Sequence, residues 1–185
     1  ESLGKVRTIA LDKTGTLTRN QPVVIEVAAT EGHTRQEVLA LAAALEARSE
    51  HPLARAILAA AQTVPAAHNV EAVTGAGLTG VVDGRQVRLG RPGWLASDPV
   101  ADDVTRMQEV GATAVMVEVD AVVVGAIAVR DELRPEAVEV VAHLKQQGYT
   151  VVMLTGDNPA TAFALARTVG IDEVHADLRP EDKSL

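Results

Sequence analysis

The 185-residue chain has no cysteine, which excludes disulfides and thiolate metal centres within it. Aromatic residues are nearly missing: Trp94, Tyr149 and Phe163 are all of them. Ring stacking is therefore at most a small part of recognising a planar ligand. Basic residues are outnumbered, 17 Lys and Arg against 25 Asp and Glu for a net charge of −8. That balance lacks the positive footprint of nucleic-acid binding, so no nucleic-acid partner is expected. No apolar run reaches the roughly 18 residues that begin to suffice for a membrane span. The first residues show no signal-peptide pattern. These absences describe a soluble stretch, long enough for one large domain or two small ones.

What is present is chemistry at the end of a strand. The apolar run Val6–Leu11 reads as a buried strand. It is followed by Asp12-Lys13-Thr14-Gly15-Thr16-Leu17-Thr18. A carboxylate leaving a buried strand is well placed to attack a phosphoryl group as a nucleophile. The amides and hydroxyls of the turn that follows can hold phosphate oxygens. A second strand–loop–helix unit occurs at Tyr149–Leu154, then Thr155-Gly156-Asp157-Asn158, then Pro159. The Thr155 hydroxyl and nearby amides can donate to an anion at a helix start. Two such loops on adjacent strand ends would form one site.

Along the chain the pattern changes twice. Residues 1–19 hold the first strand and its loop. Residues 20–130 form an Ala- and Val-rich middle part, and residues 131–185 return to strand–helix alternation. The middle part opens with a strand at Pro22–Val27. Thr34 and Glu37 then form a capping box for a helix from about Arg35 to Arg48. Pro52 suits the first turn of a second helix, through about Gln62. Short β-type runs follow at Val70–Val73, Leu78–Val82, Gln86–Leu89, Ala114–Val119 and Val122–Val129, with a helix over Pro99–Val110 between them. Asp83-Gly84 and Asp120 read as hairpin turns. In the last part Pro135 starts a helix that Gly148 stops, and another runs from Pro159 to near Gly170. The fold expected is α/β, a parallel-sheet domain built from residues 1–19 and 131–185, interrupted by an α+β module with an antiparallel sheet at residues 20–130.

The Asp12–Thr18 run matches the phosphorylation signature of P-type ATPases, the ion pumps that pass through an aspartyl-phosphate. Met153–Asn158 is similar to their second phosphate-handling loop, and Pro180-Glu181-Asp182-Lys183 resembles a third element whose Lys pairs with phosphoryl charge. Ser49-Glu50-His51-Pro52, with Glu46, Gly75, Gly77 and Gly90, resembles the nucleotide-binding domain of the heavy-metal branch. Asp131–Glu136 looks like the hinge returning from that domain. The resemblance covers nearly the whole chain. It implies a haloacid-dehalogenase-like, Rossmann-type phosphorylation domain, incomplete at its C-terminal side, with an inserted nucleotide-binding domain. By the same resemblance Glu46 lies near the adenine and His51 orients the nucleotide. Gly75 and Gly77 let the backbone approach it, and Gly90 lines the pocket. Lys13, Thr14, Thr16, Thr155, Gly156, Asp157 and Lys183 surround the phosphoryl group on Asp12. Mg²⁺ takes the Asp12 carboxylate and the Thr14 carbonyl.

Related phosphatases usually carry a second Asp two residues after the nucleophile, as general acid and base. Here that position is Thr14, which cannot deprotonate water at neutral pH. A long-lived acyl-phosphate, as a pump needs, is the expectation. A soluble phosphatase of the same fold and a non-catalytic nucleotide-binding module are the alternatives. Two departures stand out. Arg91 replaces an Asn found in several copper-transporting relatives. The family's Gly-Asp-Gly-x-Asn-Asp segment, which supplies a further Mg²⁺ ligand, is absent from these 185 residues. The expectation is a stretch that binds ATP but turns it over poorly. The resemblance further implies transmembrane and actuator domains elsewhere in the polypeptide and a place on the cytoplasmic face of a membrane. The transported heavy-metal cation is bound outside these residues. His33, His68, His143 and His175 are scattered and read as surface or packing residues.

Overall fold

The structure is a computed structural model that describes residues 7–178 and Asp182. Its chain divides into two compact units. One comprises Glu1–Gln21, Gln108–Gly111 and Asp131–Leu185, and the other Pro22–Met107 and Ala112–Arg130.

The first unit is built on parallel strands β1 (Thr8–Asp12), β8 (Thr150–Leu154) and β9 (Glu173–His175), in the order β1-β8-β9. Helices α4 (Ala137–Gln146) and α5 (Pro159–Val169) supply the crossovers that parallel strands require. The core gathers Leu17, Ala137, Val141, Val151, Met153, Ala162, Leu165 and Val169. Helix α5 starts where the sequence predicts, because Pro159 fits the first turn and the Asn158 side chain caps it at Thr161 N, 3.1 Å away. It ends at Gly170, whose φ of 78° closes the helix in the left-handed region. Helix α4 begins at Ala137, two residues after the expected Pro135.

The second unit contributes to a six-stranded sheet in the order β2-β7-β6-β5-β4-β3. Its strands are β2 (Thr18–Ala29), β3 (Ala67–Val73), β4 (Gly77–Val82), β5 (Arg85–Gly90), β6 (Thr113–Val119) and β7 (Val122–Leu133). The pairs from β3 to β7 are all antiparallel. Helices α1 (Arg35–Glu46) and α2 (Pro52–Ala60) pack on one face through Val38, Leu39, Leu45 and Ile57 against Val82, Val87, Leu89 and Val117. Helix α3 (Ala101–Glu109) belongs to a separate cluster with Leu95, Met107, Met116 and Ala126. The Thr34–Glu37 capping box forms in both directions, at 3.2 and 2.6 Å. The unit boundaries fall within β2, α3 and β7, and between Gly111 and Ala112.

Candidate functional site

Parallel pairing of β1 with β8 puts Asp12 in register with Leu154. The loop after Asp12 and the loop after Leu154 therefore leave adjacent strands at the same end of the sheet. This is where open α/β sheets bind ligands. Asp12 is half-buried, Thr14, Gly15 and Thr16 are exposed, and Leu17 and Thr18 are buried. The loop is thus anchored at its far end and open at its tip. Gly15 has φ +79° with nothing within 4 Å of where a Cβ would stand, so only the backbone angle demands glycine there.

One link joins the loops. The Lys13 ammonium lies 2.6 Å from Asp157 Oδ2, with both side chains mostly buried. The contact is an ion pair. Thr155 is buried, and its Oγ1 accepts the Asp157 N–H at 3.1 Å, which leaves the hydroxyl proton to donate. Gly156 is exposed beside it, with the Leu178 carbonyl 3.1 Å from the place of a Cβ. Asp12, Lys13, Thr155, Gly156 and Asp157 are thereby brought together at one end of this sheet. Lys183 lies outside the described residues.

Three further residues, Thr18, Asp131 and Arg134, shape the loop after Asp12. Thr18 Oγ1 accepts the Gly15 N–H at 3.3 Å. It meets both the Lys13 carbonyl, at 3.2 Å, and the Asp131 carboxylate, to either of which its proton can go. Asp131 also accepts the Gln21 N–H at 2.9 Å. Arg134 donates its guanidinium to the Gly15 carbonyl at 3.1 Å and its backbone N–H to the Leu17 carbonyl at 2.9 Å. Thr18 closes the Asp12–Thr18 run and Asp131 opens the Asp131–Glu136 run. Only their meeting across 113 positions was invisible.

Among the described residues no cluster of three or more His, Cys, Asp or Glu could hold a metal. The donors available beside Asp12 are oxygens, which fits Mg²⁺ in chemistry but requires most of its six ligands to come from elsewhere.

In the second unit the Glu46 carboxyl closes α1 and is 7% exposed. Burial pushes its pKa up, against a smaller downward pull from the Ser49 hydrogen bond and from His51. His51 caps α2, its Nδ1 accepting the Leu53 N–H at 3.2 Å. A neutral imidazole so placed carries its proton on Nε2, which can donate outward. Ser49 Oγ accepts the His51 N–H at 3.3 Å, so Glu46, Ser49 and His51 form one local group. The glycines divide by role. Gly75 has φ +70° and open space where a Cβ would stand. At Gly77 a Cβ would lie 2.0 Å from the Leu89 carbonyl oxygen, and Gly77 pairs with Gly90 across β4 and β5. At Gly90 a Cβ would lie 2.2 Å from the Trp94 ring. Gly77 and Gly90 are thus required by the protein's own packing, whatever a ligand asks of them.

A family model described as haloacid dehalogenase-like hydrolase matches residues 6–185. A probable cation-transporting ATPase G of Mycobacterium tuberculosis is 68% identical over 184 residues, covering 100% of this chain and 24% of that protein. A copper-exporting P-type ATPase of the same species is 44% identical over 187 residues, covering 99% and 25%. The chain therefore spans about a quarter of the length of the curated relatives it matches. Among solved structures, a zinc-transporting PIB-type ATPase in the E2.Pi state aligns over 98% of this chain and 30% of its own, with a TM-score of 0.73 and 39% identity. The catalytic CPx-ATPase domain CopB-B aligns over 97% and 64%, with a TM-score of 0.69 and 26% identity.

Proposed function

The chain belongs to the haloacid dehalogenase-like hydrolases, and we propose that within that family it is the ATP-binding and phosphoryl-accepting segment of a membrane pump for a heavy-metal cation. The observation that carries this reading is the register of β1 and β8, which sets Asp12 beside the Thr155–Asp157 loop with Lys13 between them. Relatives matching over essentially the whole chain are named for cation transport or copper export, and a structural neighbour for zinc transport.

In this reading residues 20–130 bind ATP, with Glu46 and His51 at the base and Gly75, Gly77 and Gly90 along the backbone of the site. Residues 1–19 and 131–185 form the phosphorylation domain. An Asp12 carboxylate oxygen attacks the γ-phosphorus, and the bond from phosphorus to the bridging oxygen breaks. ADP leaves with that electron pair and the phosphoryl group stays on Asp12. The amides of the exposed Thr14 and Thr16 and the Thr155 hydroxyl surround the transferring oxygens, which is positioning and electrostatics rather than covalent chemistry. Lys13 turns from Asp157 toward the added charge, joined by Lys183. Mg²⁺ would be held by the Asp12 carboxylate and the Thr14 carbonyl, and would supply neutralising charge to the phosphates. No carboxylate stands two residues after Asp12 to activate water, which suits a phosphoenzyme that persists. The segment lies on the cytoplasmic side of the membrane. Among the described residues no helix is long and apolar enough to cross it. The spanning and actuator parts of the proposed pump lie in other regions of a polypeptide about four times this length, as in the relatives it matches.

The test is phosphorylation of the full-length protein by γ-labelled ATP. Acid-stable, hydroxylamine-labile label that disappears in Asp12→Asn is expected. Rapid release of phosphate from small phosphomonoesters without ATP specificity would instead favour a phosphatase. No label at all, with ATP bound, would favour a nucleotide-sensing module.

A further inference from the structure

Strand β5 sends alternate side chains to opposite faces of its sheet. Val87 and Leu89 enter the core under α1 and α2. Arg88 and Gly90 face the other way, opposite Glu118 and Met116 of β6. Charged residues at such positions are unusual, and here they answer each other. Glu118 is only 5% exposed. Arg88 grips it with a fork, Nε to Oε1 and Nη2 to Oε2, each at 2.7 Å. A carboxylate this buried is tolerated only with such a partner.

The guanidinium carbon of Arg88 lies 5.2 Å from the centroid of the Trp94 ring, within the range of a cation–π contact. The same ring covers Gly90, where a Cβ would fall 2.2 Å from Trp94 Cε3 and 2.7 Å from the Ala76 carbonyl oxygen. Glu118, Arg88, Trp94 and Gly90 therefore form one continuous stack. The turn carrying Trp94 is tied back through its own N–H and that of Leu95, both directed at the Arg91 carbonyl, at 3.3 and 3.4 Å. Leu95 is buried beneath it. The Arg91 N–H reaches the Ala76 carbonyl at 3.1 Å, so the Gly90–Arg91 segment is fixed to the Gly75–Gly77 turn as well. The stack closes the side of Gly90 on which a ligand would otherwise find the space of a missing Cβ. What Gly90 and Arg91 can still offer is backbone and the exposed Arg91 side chain, in positions set by Trp94.

We infer that Trp94 and the Arg88–Glu118 pair are positioning residues of the nucleotide site: they hold the Gly90–Arg91 segment in its binding geometry without touching the nucleotide. This rests on the reading that ATP binds residues 20–130.

The experiment is calorimetric titration of the 185-residue chain with ATP, alongside a thermal melt of each variant. Trp94→Leu removes the ring from Gly90, and about tenfold weaker binding is expected. Trp94→Phe keeps a ring there and should bind within about twofold of wild type. Arg88→Leu combined with Glu118→Met removes both charges at similar volume, so folding is retained while Trp94 loses its cation. About threefold weaker binding at an unchanged melting midpoint is expected there. Wild-type affinity in both Trp94→Leu and the double variant, each melting cooperatively, overturns the inference. If Glu46→Ala abolishes binding in that same series, the ATP reading stands and only the positioning role falls. No ATP binding by the wild-type chain would overturn both.

Discussion

Gly77 offers a sharp division between packing and ligand binding. Its φ of +159° lies at the margin of what side-chain-bearing residues adopt. A Cβ added there meets the Leu89 carbonyl oxygen at 2.0 Å, the Gly90 Cα at 2.6 Å and the Leu89 carbonyl carbon at 2.9 Å. All three are backbone atoms of the neighbouring strand, so no side-chain rotation relieves the overlap. Gly77→Ala therefore requires β4 and β5 to part. Backbone strain costs about 1–3 kcal/mol, and overpacking adds about 1–3 kcal/mol. A loss on the order of 3 kcal/mol from a unit of about 100 residues lowers its melting midpoint by roughly 15 °C. Gly75→Ala is the matched control. It has φ +70° but no neighbour within 4 Å, so it should cost only about 1–2 kcal/mol. The assay is thermal unfolding followed by circular dichroism, with ATP affinity measured well below each midpoint. Gly77→Ala with wild-type stability and lost ATP affinity would refute the packing argument. A bulkier change such as Gly77→Asp loses binding by disrupting the sheet, whatever Gly77 contributes to nucleotide contact.

Other consequences follow from single groups. Thr18 is fully buried, and Thr18→Val leaves the Gly15 N–H and an Asp131 oxygen without their hydroxyl partner. The expected cost is about 1–3 kcal/mol, with slower labelling of Asp12 in the full-length protein. Thr18→Ser should restore both, and a Val variant labelled at the wild-type rate would count against the anchoring role. Burial raises the Glu46 pKa above its unfolded value, so the folded chain holds the extra proton between the two values. Its contribution to stability is fullest below the unfolded pKa and declines as pH rises through the folded one. Glu46→Gln should accordingly melt above wild type at neutral pH, with the difference closing toward pH ~4; a difference that grows on acidification contradicts the assignment. Glu37 has the opposite sign. Its pKa is lowered chiefly by the Thr34 backbone N–H, with help from the Thr34 hydroxyl, so the capping box supports the fold above the unfolded carboxylate pKa and fails as pH falls through the lowered one. Glu37→Gln should therefore flatten the acid limb of a stability profile. Arg91 is exposed at the end of the clamped segment, and Arg91→Asn should weaken ATP binding; unchanged affinity would remove its side chain from the site.

Local chemistry was legible in the sequence. Thr34 with Glu37, Pro52, Pro159 and Gly170 each act on their own turn, and the helices they bound lie within a few residues of expectation. Alternation located most strands. It failed at the start of β2, where Arg19-Asn20-Gln21 has no apolar rhythm yet belongs to the strand. It also missed the end of β7, which runs on through Leu133. There, hydrogen-bonded pairing extends the ladder beyond what side-chain burial can signal. Of the candidate site, the two loops that follow β1 and β8 were readable because each is contiguous. The anchoring of one by Asp131 and Arg134 was not, because the partners are more than a hundred residues apart. Gly77 and Gly90 read as openings for a ligand, while their close neighbours prove to be Leu89 and Trp94. A missing Cβ looks the same in sequence whichever body fills its space. Arg88 and Glu118 did leave a trace, each a lone charge flanked by apolar strand residues.

Trp94 is the one tryptophan in the chain. Indole emission from this protein thus originates at a single point, beside a guanidinium and the backbone of Gly90. Excitation near 295 nm needs no dye, label or substitution to watch that point. A stopped-flow record of ATP mixing would time events at the Gly90–Arg91 segment alone, and events near Asp12, in the other unit, would pass unseen unless they reached it.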